Sequence, residues 1–203
     1  MKTADYDQYR IEYPTQTIKG HAALYNKRFL ERPGNTSFSG RAVRSFLDQC
    51  GKHPIFVAEI GGRDGGLANL ALSSNLPIEK WINYEISDEP LRNPATIDTR
   101  YEGRLMPNFC WWKTTPIEGN ALILSHIIEH LSDDDFKGLV ASIPKNIRRV
   151  HAQAPIPMRG PMNWNGYFCS HVLTMGWVEV NEVFEAAGFK SLMAYDGASW
   201  MRP

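Results

Sequence analysis

The sequence has few cysteines, no excess of either charge and no long apolar run. Its 203 residues include 22 Lys and Arg and 22 Asp and Glu, which gives a formal net charge of zero. A neutral chain lacks the basic surface that duplex nucleic acids attract, which argues against a nucleic-acid partner. No apolar stretch approaches the ~20 residues that a membrane-spanning helix needs, so no membrane partner is expected.

The cysteines also exclude a disulfide framework or a cysteine-rich metal site. Cys50, Cys110 and Cys169 are odd in number, lie far apart and form no C-x-x-C pair. Reduced thiols are the simplest account of such a set. Because the first residues, MKTAD, carry no apolar signal region, we expect a cytoplasmic protein. Nothing in the sequence predicts its oligomeric state.

Short apolar runs predict the strands of a sheet. Continuous runs, typical of strands buried on both faces, occupy residues 55–60 and 121–124, and residues 81–84 predict a further strand that ends in Glu85. Less regular runs predict further strands at 109–112 and 147–152. Near the end of the chain, runs at 189–195 and 198–201 flank Asp196-Gly197, a pair typical of a tight hairpin turn.

Helical spacing of apolar residues separates these strands. It predicts helices over 41–49, up to about Ser74, from Ser132 to Pro144 and over 178–187. Alternating strands and helices predict an α/β fold, mostly parallel, with an antiparallel C-terminal hairpin strand and helices on both faces. The sequence also predicts how the chain is divided. Residues 1–40 are expected to form a helical or irregular extension that caps the site, and residues 41–203 a single domain.

A glycine cluster follows the first predicted strand. The segment VAEIGGRDGG, residues 57–66, runs from an apolar strand through an acid into four glycines within six positions. Glycine lets the backbone adopt unusual conformations and lets a ligand approach closely. Ligands in open α/β sheets bind beyond the carboxyl ends of the strands, so we expect a nucleotide-like ligand at this turn.

A nicotinamide cofactor is one candidate ligand. Counted from Gly61, the dinucleotide motif G-x-G-x-x-G needs its second glycine where Arg63 stands. A side chain there would obstruct the pyrophosphate. Glu85, an acid at the end of the second strand, would nevertheless suit such a cofactor. A nicotinamide-dependent oxidoreductase therefore stays open as an alternative.

A second candidate follows from a resemblance. The segment EIGGRDG, residues 59–65, resembles the acid-x-Gly-x-Gly-x-Gly turn of class I S-adenosylmethionine-dependent methyltransferases, with Arg63 in place of the middle glycine. Glu85 stands where that family keeps an acid for the ribose hydroxyls. The segment ALILSHIIEHLS, residues 121–132, resembles the family's fourth strand and the segment after it, and the closing helix and hairpin resemble its last elements.

This resemblance implies a Rossmann-like class I methyltransferase sheet with S-adenosyl-L-methionine as the cofactor. It also implies methyl transfer to an oxygen or nitrogen atom of a small molecule. The cofactor-binding residues that it implies are Glu59, Gly61, Gly62, Arg63, Gly65, Glu85, Ile86 and Ser125.

The segment HIIEH, residues 126–130, admits several interpretations. It matches an inverted zinc-protease signature, but it follows a short buried strand instead of lying within a long helix. It also resembles the E-x-x-E-H cluster of metal-assisted O-methyltransferases, with His126 replacing the first glutamate and His171 as a later ligand. Our primary interpretation has no metal: His126, His130 and His171 line the acceptor side, where a neutral imidazole removes the acceptor's proton.

The methyl acceptor is constrained only in class. The stretch SHII after the fourth predicted strand lacks the Asn/Asp-Pro-Pro-Tyr motif of enzymes that methylate amino groups of DNA or of glutamine. Residues 155–171 are predicted to be a long loop whose polar and aromatic residues suit a modest-sized acceptor. A metal-assisted O-methyltransferase and an inactive cofactor-binding regulatory protein stay open as alternatives.

Overall fold

The computed structural model describes residues 40–107, 110–154, 160–164, 167–171, 173–192 and 198–203. The predicted N-terminal cap over 1–40 lies outside these ranges except for Gly40, and so does the predicted turn at Asp196-Gly197. The side chains of residues 160–171, including that of His171, also lie outside the described part. Within the described residues, no helix has the length and apolar character needed to cross a membrane.

Seven strands form the main sheet: β1 (Ile55–Ile60), β2 (Ile78–Glu85), β3 (Tyr101–Leu105), β4 (Ala121–Ser125), β5 (Arg149–Gln153), β8 (Lys190–Leu192) and β9 (Ala198–Met201). Their spatial order is β3-β2-β1-β4-β5-β9-β8. Strands β1 to β5 pair in parallel, and β9 and β8 close the edge antiparallel. This confirms the predicted fold class.

Helices and two short 3-10 turns connect the strands. The helices are α1 (Gly40–Gln49), α2 (Gly66–Leu72), α3 (Asp88–Arg92), α4 (Asp133–Ser142) and α5 (Trp177–Ala186), and the 3-10 turns are Trp111–Lys113 and Ile128–His130. As predicted, Ser132 caps α4: its hydroxyl oxygen accepts a hydrogen bond from the Asp135 amide at 3.1 Å. Three aspartates in the first turn of α4 add a favourable interaction with the positive end of the helix.

The two faces of the sheet carry separate apolar cores. Because neighbouring side chains of a strand point to opposite faces, Leu122 joins one core and Ile123 the other. The first core packs under α4 and α5, where Phe184 stacks on Trp200 with ring centroids 3.9 Å apart. The second core holds Phe46 and Leu47 of α1 together with apolar residues of α2. Each fully buried side chain of this size contributes about 1.5–3 kcal/mol to folding.

Two sequence predictions of secondary structure were wrong. The predicted strand at 109–112 includes part of a 3-10 turn, in which Trp111 packs against Tyr84 with ring centroids 4.4 Å apart. The third strand is Tyr101–Leu105, an edge strand whose residues are half-buried or exposed, so it carries no apolar run. The predicted loop 155–171 contains two paired antiparallel strands, β6 (Gly160–Trp164) and β7 (Tyr167–His171).

The strand order reverses between β1 and β4. The chain runs outward from β1 through β2 to β3, then returns to pair β4 on the other side of β1. In open parallel sheets this reversal creates a crevice at the carboxyl ends of the strands, and ligands bind there. The glycine cluster leaves β1 at that end of the sheet.

Candidate functional site

The glycine turn lies where the ends of β1, β2 and β4 meet. Three of its residues have left-handed backbone conformations: Gly61 with φ 82°, Arg63 with φ 51° and Gly65 with φ 75°. A Cβ atom on Gly61 would lie 2.6 Å from the backbone oxygen of Ser125, so the turn presses directly on the end of β4. Gly61 therefore needs to be glycine for both its conformation and its packing.

The underside of the turn is also tightly packed by protein atoms. A Cβ atom on Gly62 would lie 2.4 Å from the carboxyl carbon of Glu59 and 2.7 Å from Asn83 Oδ1. One on Gly65 would lie 2.6 Å from the ring of Tyr101. The density of glycines thus has a structural cause, since the backbone sits directly on side chains from three strands.

Glu59, the acid before the glycines, is buried beneath the turn. Its carboxylate accepts hydrogen bonds from Trp81 Nε1 at 2.9 Å and from the Ser125 hydroxyl at 2.8 Å. Burial is the main cause that raises the pKa of Glu59 to about 7, against the lowering effect of these two hydrogen bonds. Glu59 and the Ser125 side chain therefore support the turn from below.

Glu85 ends β2 beside the turn. One of its oxygens accepts hydrogen bonds from the amides of Ile86 at 2.7 Å and Ser87 at 3.1 Å, and the other accepts from the amide of Arg63 at 3.0 Å. Burial raises the pKa of Glu85 despite these three bonds. A carboxylate offers about four acceptor positions, and hydrogen bonds from the described residues occupy three of them.

Asn83 is a residue of this site that the sequence analysis did not single out. Its Oδ1 accepts a hydrogen bond from the Gly62 amide at 3.1 Å. Its Nδ2 donates to the Arg63 backbone oxygen at 2.8 Å and to the Tyr101 hydroxyl at 3.0 Å. The only signal in the sequence was an amide inside the apolar strand WINYE, two residues before Glu85.

The predicted histidines follow β4 on the adjoining segment. His126 has φ 50°, and its Nδ1 lies 3.2 Å from Glu129 Oε1. Ile127, the next residue, lies beside the turn, since a Cβ atom on Gly61 would be 3.8 Å from the Cβ atom of Ile127. The structure therefore brings the segment carrying His126 and His130 next to the glycine turn.

Glu129 is the buried acid of this segment, with only 2% of its surface exposed. Burial opposes its ionisation, but the hydrogen bond from His126 and the charge of His130 outweigh burial and lower the pKa of Glu129. Strand β7, which carries His171, packs its backbone against the 3-10 turn Ile128–His130. Among the described residues, no three metal-ligating side chains form a group able to hold an ion.

Comparisons with known proteins rest on structure. No protein-family model and no curated protein matches the sequence. The DhpI–S-adenosylhomocysteine complex is similar at 15% identity with a TM-score of 0.63, covering 92% of this chain and 97% of that one. The Burkholderia thailandensis 1,6-didemethyltoxoflavin-N1-methyltransferase, solved with its substrate and S-adenosylhomocysteine, is also similar, at 15% identity and a TM-score of 0.58. There the match covers 91% of this chain and 89% of that one.

Larger methyltransferases share the same core. Human N-acetylserotonin methyltransferase in complex with S-adenosylmethionine is 15% identical with a TM-score of 0.57. That match covers 82% of this chain but 52% of the human enzyme, so this chain spans about half of its length. The shared feature is the sheet with its parallel strands and antiparallel closing strands, and this chain therefore has the fold of S-adenosylmethionine-dependent methyltransferases.

Proposed function

We propose that this protein is an S-adenosylmethionine-dependent methyltransferase with its cofactor at the glycine turn. One observation carries the proposal. The left-handed turn after β1 and the carboxylate of Glu85 at the end of β2 meet at the reversal of strand order. The similar structures of human N-acetylserotonin methyltransferase and DhpI hold S-adenosylmethionine and S-adenosylhomocysteine. The cofactor, when bound, supplies an activated methyl group on sulfonium.

The residues of the turn fit such a cofactor. Glu85 keeps one acceptor position for a ribose hydroxyl, and a charged acceptor makes this a strong hydrogen bond. Ile86 is half-buried beside the core, and we assign to its side chain an apolar contact with the adenine ring. The backbone from Gly61 to Gly65 would hold the methionine portion of the cofactor, and Glu59 and Ser125, which bond each other, support that backbone.

The acceptor side is formed by the segment after β4. His126 and His130 follow Ser125 there, and we assign to these imidazoles the removal of the acceptor's proton as the methyl group transfers. His171 belongs to the same proposal through its place on β7, beside the 3-10 turn that ends in His130. Small-molecule acceptors, as in the toxoflavin and N-acetylserotonin enzymes, are the class that we propose here as well.

A metal-assisted O-methyltransferase is a second candidate because one observation favours it. The pairing of His126 with Glu129 gives two potential metal ligands from the predicted cluster, already in contact. With His130 and His171 they would form a set rich in imidazole, which suits zinc, iron or manganese better than magnesium.

Titration calorimetry with S-adenosylhomocysteine and with NAD tests the cofactor assignment. We expect S-adenosylhomocysteine to bind with micromolar affinity and NAD to give no heat of binding. NAD binding without S-adenosylhomocysteine binding would overturn the proposal in favour of the oxidoreductase alternative.

The role of Glu85 is tested by pairing a variant with altered ligands. Glu85→Gln should weaken S-adenosylhomocysteine binding by at least about 10-fold, because it removes a hydrogen bond to a charged group worth ~1.5–3 kcal/mol and turns an NH2 group toward at least one backbone N–H that Glu85 accepts from. Analogues of S-adenosylhomocysteine that lack the 2′- or the 3′-hydroxyl should bind the wild type more weakly than S-adenosylhomocysteine does. On Glu85→Gln, one of the two analogues should bind about as well as S-adenosylhomocysteine. Glu185→Gln, on the exposed side of α5, is the matched control and should bind like the wild type. Equal losses on variant and wild type would remove Glu85 from the ribose site.

A further inference from the structure

Asn83 lies at the centre of the contacts that shape the glycine turn. It is completely buried on β2, where its neighbour across the sheet is Glu59 on β1. Trp81, Asn83 and Glu85 alternate along β2 and therefore point to the same face. Trp81 bonds Glu59 beneath the turn, while Asn83 and Glu85 bond the turn itself. One face of one strand thus supplies three successive supports.

The carboxamide group of Asn83 matches the turn in a way that no other side chain of its size can. It accepts from the amide of Gly62 and donates to the carbonyl of Arg63, so it bridges the two ends of the Gly62-Arg63 pair. Its second N–H donates to the Tyr101 hydroxyl on β3. An aspartate would lack both donors, and a leucine would satisfy none of the three groups.

Arg63 is the residue that needs this support. Its φ of 51° lies in the left-handed region, which is unfavourable for a residue that has a Cβ atom. Class I methyltransferases, which this turn resembles, have glycine at this position. In this conformation the Arg63 amide reaches Glu85 at 3.0 Å. Without Asn83, the turn is expected to relax into other conformations, and the Arg63 amide and the Glu85 carboxylate would lose their alignment.

We propose that Asn83 is a positioning residue that holds the glycine turn in its cofactor-binding conformation, with Tyr101 as its anchor on β3. The inference rests on the proposed function, because the benefit of a preformed turn is measured as cofactor affinity. A protein whose binding-competent conformation is only partly populated binds its ligand more weakly by that fraction. The hydrogen bonds of the Asn83 side chain thus compensate for the backbone strain of Arg63, which stands where the family has glycine.

Asn83→Leu tests the proposal, with Asn120→Leu as its matched control. Asn120 also holds one amide and one carbonyl, those of Phe56 and Pro54, but at the opposite end of the strands. We expect Asn83→Leu to weaken S-adenosylhomocysteine binding at least about tenfold, as for several lost hydrogen bonds. Asn120→Leu should leave the affinity unchanged even where it lowers the melting temperature.

A rescue experiment separates positioning from loss of stability. Arg63→Gly removes the left-handed strain, so in the Asn83→Leu background it should restore a large part of the lost affinity. Because a glycine at a positive φ can also raise global stability, binding is measured far below the melting temperature of every variant, where recovered affinity reports on the turn and not on the fraction folded. Tyr101→Phe, which keeps the ring over Gly65 and removes one hydrogen bond, should weaken binding by roughly 2- to 10-fold.

The outcomes are distinguishable. Wild-type protein that does not bind S-adenosylhomocysteine contradicts the proposed function itself. Wild-type binding with unchanged affinity in Asn83→Leu, or an affinity loss that Arg63→Gly does not repair, overturns the role of Asn83 alone. Should Asn83→Leu fail to fold, Tyr101→Phe and hydrogen exchange decide: exchange at the Gly62 amide must accelerate in Tyr101→Phe, and unchanged exchange with unchanged affinity refutes the proposal.

Discussion

Replacing Glu59 by glutamine is expected to stabilise the protein at alkaline pH. Glutamine has the size of glutamate, and its carbonyl oxygen can still accept the hydrogen bond from Trp81 Nε1. Its amide can donate to the Ser125 oxygen, since a hydroxyl both donates and accepts. The substitution therefore removes the ionisable proton of Glu59 while keeping the geometry under the glycine turn.

The magnitude follows from the pKa of Glu59. Burial raises that pKa from 4.5 to about 7, so the carboxyl is more easily protonated in the folded than in the unfolded chain. A raised folded-state pKa contributes stability that is fully present below pH 4.5 and is lost as the pH rises through 7. Between pH 5 and pH 8.5 the loss is about 2.5 kcal/mol, at ~1.36 kcal/mol per pKa unit. Glu59→Gln, which is neutral throughout, avoids this loss.

Denaturant unfolding at pH 5 and pH 8.5 measures the effect. The stability difference between Glu59→Gln and the wild type should shift in favour of the variant by about 2.5 kcal/mol between the two pH values. Glu185→Gln, an exposed control on α5, should show no such shift. A difference that does not change with pH would mean that Glu59 is ionised in the folded protein at pH 5, and it would refute the role of burial.

Two further predictions concern histidines. His151 is completely buried on β5 with Nδ1 2.8 Å from the Ser199 hydroxyl, and burial lowers its pKa to about 4. Its contribution to stability should fall by about 2 kcal/mol from pH 7 to pH 5, because only the unfolded chain takes up the proton, and His151→Phe should abolish this dependence in unfolding experiments. Methyl transfer should survive a strong chelator, because the proposed proton transfer uses an imidazole and no metal ion. About one equivalent of zinc, iron or manganese in untagged protein, with activity lost to chelator, would instead favour the metal-assisted alternative at His126 and Glu129.

Local patterns in the sequence were sufficient to predict the central strands of the sheet. The runs at 55–60 and 121–124 are apolar because β1 and β4 are covered on both faces, and such strands leave a clear signal. β3 left none, because an edge strand with sequence YEGRL has only half-buried or exposed residues. Trp111 and Trp112 looked like a strand because they are apolar, but their burial is achieved in a 3-10 turn.

Some residues of the candidate site could likewise be predicted from the sequence, and others could not. Gly61 and Glu85 were identifiable because their residue types and spacing match a known turn. Asn83 and Tyr101 were not, because their role depends on which residues face each other across β1, β2 and β3. That register is set by the packing of whole strands, and an amide in one strand does not reveal which turn it supports.

Glu59 and His151 should make opposite contributions to the pH dependence of stability in the wild-type protein. From pH 5 to pH 7, His151 gains about 2 kcal/mol of stability as the unfolded chain loses its proton, and Glu59 loses about 2 kcal/mol over the same interval. These two contributions should therefore nearly cancel in the wild type, where the raised pKa of Glu85 adds a further decline with rising pH. His151→Phe should expose a decline with rising pH, and Glu59→Gln an increase. Differences from the wild type that change with pH in opposite directions in the two variants would identify both groups as neutral inside the fold. Differences that change in the same direction would show that at least one of them is charged.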